Sequence, residues 1–417
     1  MKRAAFAATI GNMLEFYDFI TYSFFAIQIG HTFFPSQSEY GSLMLSLATF
    51  GAGFITRPIG GVVLGIYSDR IGRRPAMLLS FALMGIAIIT ISLTPSYSSI
   101  GLAAPVIVIL ARMLQGFALG GEVGPTTAYL LEIAPPERRA LVVSLQPTSQ
   151  EIAATAGALV GFILTKTMSP ADLESTGWRI AFLIGAITLP FGFWMRRTLP
   201  ETIPDAAGAA AQTEQSGHFT LARRYARVIV LALMILACGT ISTYVTQYMT
   251  TYAQTTLHVA SSTAFATSLV SNGLQIIGAL FGGWLADRFG RKPVMIIPQL
   301  VVLVFTYPTF LWMVDAPGAW SLLFGFGALS LIGSLPFTAF YAAFVEALPQ
   351  QIRGGIFATV YAVAIASFGG TAQLVVTWLL HVSRNPLAPA WYLLLAAAVA
   401  LVAMARMPET APVKGGK

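Results

Sequence analysis

Two stretches of this sequence resemble each other closely, GIYSDRIGRRP at residues 65–75 and GWLADRFGRKP at residues 283–293. Both contain a glycine, an Asp-Arg pair, a second glycine and a basic pair before proline, and each half of the chain carries one copy. A shorter echo follows each copy, LPET at 199–202 and MPET at 407–410. These matched positions predict a chain of two similar halves, each with a tight basic turn at the same place.

The composition indicates which class of protein carries this repeat. Charged residues are 10% of the chain, whereas a soluble domain carries about 25%. Hydrophobic residues are 56% before the 38 glycines are counted, more than one soluble core can bury. A soluble enzyme and a disordered chain are therefore excluded, and the single cysteine excludes a disulfide scaffold. We expect a polytopic membrane protein whose apolar surface contacts lipid.

Apolar runs of about 20 residues, the length that crosses a bilayer, occur six times on each side of a polar stretch. The predicted fold is an all-α membrane protein with twelve transmembrane helices in two pseudo-symmetric six-helix bundles. The bundles are residues 1–195 and 227–417, the second ending in a short cytoplasmic tail, and residues 196–226 form a cytoplasmic linker. The twelve runs lie near residues 6–29, 43–67, 75–94, 104–131, 140–165, 178–195, 228–252, 262–285, 293–314, 319–346, 355–382 and 389–405.

The basic residues predict the orientation. The net charge is +7, and most of the 24 lysines and arginines fall in the tails and in loops on one side of the predicted spans. Such residues favour the cytoplasmic face. We therefore expect a multi-pass protein of a bacterial inner membrane with both termini in the cytoplasm. This reading accounts for the basic charge without a nucleic-acid partner.

The loop pattern GxxxDRxGRR resembles the signature of the major facilitator superfamily, and the resemblance extends over essentially the whole chain. Segments 32–45 (TFFPSQSEYGSLML) and 144–151 (SLQPTSQE) are most similar to the citrate and tricarballylate branch of the metabolite:proton symporter family. Three other segments resemble that family in general: GNMLEFYDF at 11–19, FGAGFITRPIGG at 50–61 and ARMLQGFALGGEVG at 111–124.

This resemblance implies a secondary active transporter that imports a small organic anion, such as citrate or tricarballylate, with a proton. Leu145, Pro147 and Glu151 depart from the branch pattern. Symport of another organic acid or a zwitterion, such as 2-oxoglutarate, shikimate, proline or betaine, stays open, as does sodium in place of the proton.

Charged residues inside the apolar spans are candidates for coupling, because a charge at the bilayer centre is costly. A carboxylate paired with an arginine can accept a proton when a substrate anion recruits that arginine. In sugar porters of the same superfamily an aspartate in span 1 faces an arginine in span 4, and Asp18 and Arg112 match those positions. The predicted proton-coupling residues are Glu15, Asp18, Arg112 and Glu151.

Polar side chains within the spans are predicted to line a central cavity. Arginine can hold a carboxylate through two parallel hydrogen bonds, while amides and phenols suit hydroxyl groups and the remaining oxygens. In span 7, Tyr244, Gln247 and Tyr248 share one helix face. The predicted substrate-binding residues are Asn12, Tyr22, Arg57, Arg112, Gln115, Gln146, Ser149, Gln150, Tyr244, Gln247, Tyr248, Asn272, Gln275, Tyr341 and Tyr361.

The two repeated loops are predicted to form a gate on the cytoplasmic face, where their aspartates can cap a helix or pair with arginines. Two glutamates at span ends are expected to pair with these basic loops. The predicted gating residues are Gly65, Asp69, Arg70, Gly72, Arg73, Arg74, Glu132, Asp287, Arg288, Arg291 and Glu346.

Other classes of site are not indicated. The four histidines lack the spacing of a metal site, and the glycines of 116–124 lie inside an apolar span rather than after a strand. A membrane sensor would need an output domain, and an intramembrane enzyme would need a nucleophile or a metal set. We therefore predict a monomeric transporter surrounded by lipid, with no metal and no cofactor other than the co-transported proton.

Overall fold

The computed structural model describes residues 2–71, 73–120, 127, 130–131, 133–197 and 223–412. It describes only the backbone of certain helical residues, namely 2–8, 11, 15, 68–70, 73–74, 77, 188–189, 191–197, 350–352 and 354. The described chain is almost entirely helical and contains no strand. Most of the predicted linker at 196–226 lies outside the described residues.

Helices of eight or more residues are numbered here in chain order. Those of the first half are α1 (Lys2–Phe24), α2 (Ala26–Phe33), α3 (Glu39–Ile55), α4 (Arg57–Ile71), α5 (Arg73–Leu93), α6 (Ala103–Leu119), α7 (Leu145–Thr167) and α8 (Trp178–Arg197). Those of the second half are α9 (Ala226–Thr255), α10 (Ser261–Phe289), α11 (Arg291–Asp315), α12 (Gly327–Glu346), α13 (Gln350–Ala364), α14 (Gly370–Ser383) and α15 (Ala388–Arg406).

Three of the helical segments are interrupted. Phe25 separates α1 from α2, Thr56 separates α3 from α4, and the π-helical stretch Ile365–Gly369 joins α13 to α14. The break at Thr56 precedes Pro58, whose ring removes a backbone donor. The Thr56 hydroxyl donates to the carbonyl of Met113 at 2.6 Å. With each interrupted pair counted once, the described helices form twelve segments.

Seven of these segments are long and apolar enough to cross a membrane by length and composition. They are Glu39–Tyr67, Ala226–Thr255, Ser261–Phe289, Arg291–Asp315, Ser321–Glu346, Gly355–Ser383 and Ala388–Arg406. Leu78–Leu93 and Ala103–Leu119 are apolar but shorter. The chain is therefore an all-helical, multi-pass membrane protein.

The halves meet along their central helices, because α7 packs against both α1 and α10. In the first half, α3 crosses α6 at very short range, where a side-chain carbon on Gly116 would overlap the carbonyl oxygen of Gly53. Small residues allow such contact between membrane helices. This crossing places Arg112, one turn before Gly116, beside α3.

Direct contacts join the halves at both ends of the molecule. At the end with the repeated loops, Asp287 of α10 accepts hydrogen bonds from the backbone amides of Ala140 and Leu141, each at 2.9 Å. At the opposite end, the rings of Tyr40 and His381 stack with centroids 3.7 Å apart. The space between these contacts is the candidate site. The division into two bundles stays a prediction.

Candidate functional site

A cavity of about 120 Å³ lies between α1 and α7 on one side and the helices of the second half on the other. Seven of the predicted binding or coupling residues line it: Gln150, Glu151, Tyr244, Gln247, Gln275, Tyr341 and Tyr361. Tyr361 of α13 interacts with the side chain of Gln150 of α7. The cavity wall is therefore contributed by both halves.

Glu151 is the only charged residue among those that line the cavity, all of which are described. It lies on α7 and interacts electrostatically with Tyr341 of α12. Its side chain is partly buried. A carboxylate in this position can exchange a proton beside a bound substrate.

Hydroxyl groups on α12 line the cavity but were not predicted. Ser330, Ser334 and Thr338 recur every four residues, and the helix therefore presents them on one face. The Ser330 hydroxyl is buried without a partner among the described residues. Their spacing could have identified them, although serine and threonine are common inside membrane helices because they bond to their own backbone.

Arg57 lies beside this cavity, behind an aromatic layer. Only 3% of its surface is exposed. Its guanidinium carbon lies 4.3 Å from the ring centroid of Phe19 and 4.7 Å from that of Phe54. It also interacts with Tyr244, which lines the cavity. Arg57 is therefore separated from the cavity by side chains rather than by backbone.

Arg112 is fully buried next to the same layer. One terminal nitrogen donates to the amide oxygen of Gln115 at 2.7 Å. The guanidinium carbon lies 4.3 Å from the centroid of Phe19, 4.5 Å from that of Tyr22 and 5.0 Å from that of Phe50. Tyr22 and Gln115, two of the predicted binding residues, thus contact Arg112.

Both arginines retain unused hydrogen-bond donors. The Nε and one terminal nitrogen of Arg57, and the same two positions of Arg112, are buried without a partner in the described part of the chain. No carboxylate with a described side chain forms an ion pair with either residue. Unpaired buried cations are costly, and their free donors suit an anion that supplies several oxygens.

Asp18 is placed differently from the prediction. It is 1% exposed, and its Oδ1 has no hydrogen-bond partner among the described residues. The carboxylate lies against Gly185 of α8, where a side-chain carbon would overlap it. Phe19 follows one residue later, rotated by about 100° around the helix axis, and occupies the face towards Arg112. The predicted Asp18–Arg112 pair is therefore not formed in this structure.

Several predicted binding residues join helices outside the cavity lining. Asn12 of α1 donates to Ser149 of α7 at 2.7 Å. The Tyr22 hydroxyl donates to the carbonyl of Ser46 at 3.3 Å. Tyr248 accepts a hydrogen bond from Thr377 at 2.9 Å. These contacts position α1 against α7 and α3, and α9 against α14.

Two further amides are buried without lining the cavity. Both polar atoms of the Gln146 side chain, and the nitrogen of Asn272, lack a partner in the described residues. The side chain of Glu15 lies outside the described part of the chain, although α1 includes its backbone.

The predicted gate of the second half forms one ionic network around Arg291. Its guanidinium binds Asp287 at 2.7 Å and both oxygens of Glu346, at 2.9 and 3.1 Å. The carboxylate of Glu409, in the MPET echo, accepts from the backbone amides of Arg291 and Lys292. The network therefore attaches the MPET segment at 407–410 to the second repeated loop.

The other gating predictions have different outcomes. Arg288 is exposed beside Trp284, outside this network, and Gly65 lies within α4. The side chains of Asp69, Arg70, Arg73 and Arg74, and all of Gly72 and Glu132, lie outside the described residues. No cluster of metal-ligating side chains occurs among those that are described.

The chain is similar to known transporters over almost its full length. The profile of the family described as sugar (and other) transporter matches residues 4–204. The chain is 35% identical to the citrate-proton symporter of Salmonella typhi, over 97% of this chain and 93% of that protein. It is 36% identical to the citrate-proton symporter of Klebsiella pneumoniae, over 96% and 90%.

Two further comparisons extend this likeness. The alpha-ketoglutarate permease of Escherichia coli strain K12 is 33% identical, over 96% of this chain and 92% of that protein. The crystal structure of a D-xylose-proton symporter superposes with a TM-score of 0.77 at 19% identity, over 99% of this chain and 98% of that one. The second likeness concerns the fold alone.

Proposed function

Because the chain belongs to the major facilitator superfamily, in the family of sugar (and other) transporters, we propose that it imports a small di- or tricarboxylate together with protons. Citrate is the leading substrate, since the two relatives of about 35% identity carry that name. Import occurs by alternating access, in which the two halves rock about the central cavity.

The observation that carries this proposal is the pair of buried arginines. Arg57 and Arg112 each keep two buried donor positions without a partner in the described chain. A carboxylate substrate would satisfy these donors and offset the cost of the buried charges. The neutral amides, phenols and hydroxyls of the second half would bind the remaining oxygens. This arrangement favours an anion over a zwitterion, whose cationic group would face two arginines.

Coupling to protons requires a carboxylate whose protonation changes during the cycle. Glu151 faces the cavity and Asp18 is buried against α8. An unpaired buried carboxylate is far less costly when neutral, which supports protonation of Asp18 in this conformation. Protons rather than sodium are proposed because the citrate relatives are named proton symporters.

The 2-oxo dicarboxylate 2-oxoglutarate is the alternative substrate. The Escherichia coli relative named alpha-ketoglutarate permease is 33% identical, and the same arginines would bind both acids. Both termini are proposed to lie in the cytoplasm of a bacterial inner membrane, because most basic residues lie on one side. The cavity is formed by one chain, which supports a working monomer.

Uptake of labelled acids into proteoliposomes tests the proposal. An inwardly directed proton gradient (acidic outside) and an inwardly directed sodium gradient are imposed in separate experiments. The substrates are citrate, tricarballylate, 2-oxoglutarate, shikimate and betaine. We expect accumulation of citrate only with the pH gradient, and competition by the other polycarboxylates. Accumulation of betaine but not of any acid would contradict the proposed substrate class, and accumulation driven by sodium alone would contradict the proposed proton coupling.

A further inference from the structure

One aromatic side chain contacts both of the buried arginines. The guanidinium carbons of Arg57 and Arg112 each lie 4.3 Å from the ring centroid of Phe19. The two cations are therefore separated by no more than twice that distance. Phe19 is itself fully buried. A single phenyl ring thus contacts both cationic groups.

Neighbouring rings hold Phe19 in this position. The centroids of Phe54 and Phe50 lie 5.0 and 5.2 Å from that of Phe19. Phe54 also lies beneath Arg57, and Phe50 beneath Arg112. The face of an aromatic ring carries partial negative charge and attracts cations. These rings partly compensate two charges that have no described carboxylate partner.

The compensation by a ring is weaker than that by a carboxylate. A ring face attracts a guanidinium without accepting directed hydrogen bonds, whereas a carboxylate accepts two from each guanidinium. The Nε and one terminal nitrogen of each arginine therefore remain without a partner in the described chain while Phe19 is in place. A polycarboxylate that displaced the ring would pair these donors and keep the charges compensated.

We propose that the Phe19 ring occupies the position between Arg57 and Arg112 that the substrate carboxylates take when they bind. The ring must therefore move away before substrate can bind both arginines. The proposal rests on the proposed function, because it names the step that admits the anion. Phe19 is thus a positioning residue that shields the cations when the site is empty.

The route for this movement follows from the position of Phe19 on α1. Phe16, one turn earlier on α1, lines the cavity, so this helix forms the boundary between cavity and arginines. Asp18 immediately precedes Phe19, and its carboxylate lies against Gly185. A displacement of α1 that withdraws the ring would also shift Asp18 relative to Gly185 of α8. Entry of the substrate anion between the arginines and exposure of the Asp18 carboxylate would then occur together.

Chemical modification of arginine tests this role directly. Purified wild-type protein and the variants Phe19→Ala and Phe19→Leu are treated with phenylglyoxal, and modification is measured at each arginine by mass spectrometry. We expect several-fold more modification of Arg57 and Arg112 in both variants, and protection by citrate. Arg291 is also fully buried, so its modification should stay at the wild-type level unless the variant unfolds.

Citrate binding supplies the second measurement. We expect both Phe19 variants to bind citrate about tenfold more tightly than wild type, because the anion no longer competes with two cation–π contacts. Phe310→Ala is the matched control, since Phe310 is fully buried in the second half and packs against Tyr252 and Phe326. It should leave both measurements unchanged.

Unchanged modification of Arg57 and Arg112 in a folded Phe19 variant, or weaker citrate binding by both variants, would overturn the proposed role of Phe19. If wild type binds none of the polycarboxylates, the proposed function fails. The phenylglyoxal comparison would still decide whether Phe19 shields the arginines, because it needs no substrate.

Discussion

Among single side chains, Arg112 has the clearest predicted role in binding. It is fully buried and keeps two donor positions without a described partner. We expect Arg112→Ala to weaken citrate binding by about 10- to 100-fold, since hydrogen bonds to charged groups contribute about 1.5–3 kcal/mol. Arg112→Lys should be intermediate, because lysine keeps the charge but cannot donate in the planar fork. Calorimetry on purified protein measures the effect.

Lys166→Ala is the matched control for Arg112, because Lys166 is an exposed cation at the end of α7. It should bind citrate as wild type does. Wild-type affinity in Arg112→Ala would show that the anion binds elsewhere in the cavity.

Asp18 is expected to affect coupling rather than binding. The amide in Asp18→Asn mimics the protonated acid and cannot release a proton. We predict that Asp18→Asn exchanges internal for external citrate at rates near wild type but fails to accumulate citrate in response to a pH gradient. Counterflow and gradient-driven uptake in the same proteoliposomes separate these two activities. Normal accumulation by Asp18→Asn would leave Glu15 and Glu151 as the candidate coupling carboxylates.

Charged candidates for the site are easier to select from the sequence than the side chains around them. A charge in an apolar span stands out, so Arg57, Arg112 and Glu151 can each be selected as candidates, and their roles stay predictions. Phe19, Phe50 and Phe54 were not identified, because an apolar ring in a membrane helix is equally suited to core, lipid or substrate contact. Only the packing of α1 against α3 and α6 assigns these rings to the arginines.

Among the helices, the crossing of α3 and α6 is the most sensitive to side-chain volume. A side-chain carbon on Gly116 would overlap the carbonyl of Gly53. We expect Gly116→Leu to prevent this approach and to lower the yield and thermal stability of the folded protein. Fluorescence-detected size exclusion after heating measures both quantities.

Gly273 in α10 provides the matched control, because a side-chain carbon there would have no neighbour within 4 Å. Gly273→Ala should leave stability equal or slightly higher, since alanine favours helix over glycine by up to about 1 kcal/mol. Equal stability of Gly116→Leu and wild type would show that the two helices can separate without cost.

The contact between α3 and α14 is predicted to close one end of the transport path. The rings of Tyr40 and His381 stack with centroids 3.7 Å apart, so cysteines at both positions can be joined by a bifunctional thiol reagent that spans the lost rings. In a Cys238→Ser background, we expect Tyr40→Cys combined with His381→Cys to lose citrate uptake after treatment with such a reagent that contains a reducible bond, and to regain it on reduction. Each single cysteine should be insensitive. Full uptake by the cross-linked double variant would show that this end need not open.

The predicted segments matched helices, but the interruptions were not predicted. Helical structure of span 1 extends through α2 to Phe33, beyond the predicted end at 29, with a break at Phe25. A proline such as Pro58 is compatible with a break in span 2. At that break, however, the Thr56 hydroxyl donates to the carbonyl of Met113 on α6, and the sequence did not indicate this contact. A partner on another helix is a tertiary contact that the periodicity of one span cannot reveal.

In the molecule as a whole, the repeated loops correctly indicated the superfamily fold, since the chain superposes with the D-xylose-proton symporter structure over 99% of its length. The unequal contributions of the two halves to the site were only partly predicted. The charged side chains were assigned to the first half, but most of the cavity wall comes from the second half. The repeated loops indicate that the two halves share an architecture. Which residues line the cavity depends instead on how the two halves pack against each other.

Citrate and protons are proposed to enter together through a site built on Arg112. Proteoliposomes loaded with a pH-sensitive dye, with equal pH and sodium on both sides, measure this directly when external citrate is added. We predict acidification of the interior that follows labelled citrate uptake and is absent in Arg112→Ala. Entry of labelled citrate without acidification, or unchanged acidification in Arg112→Ala, would contradict it.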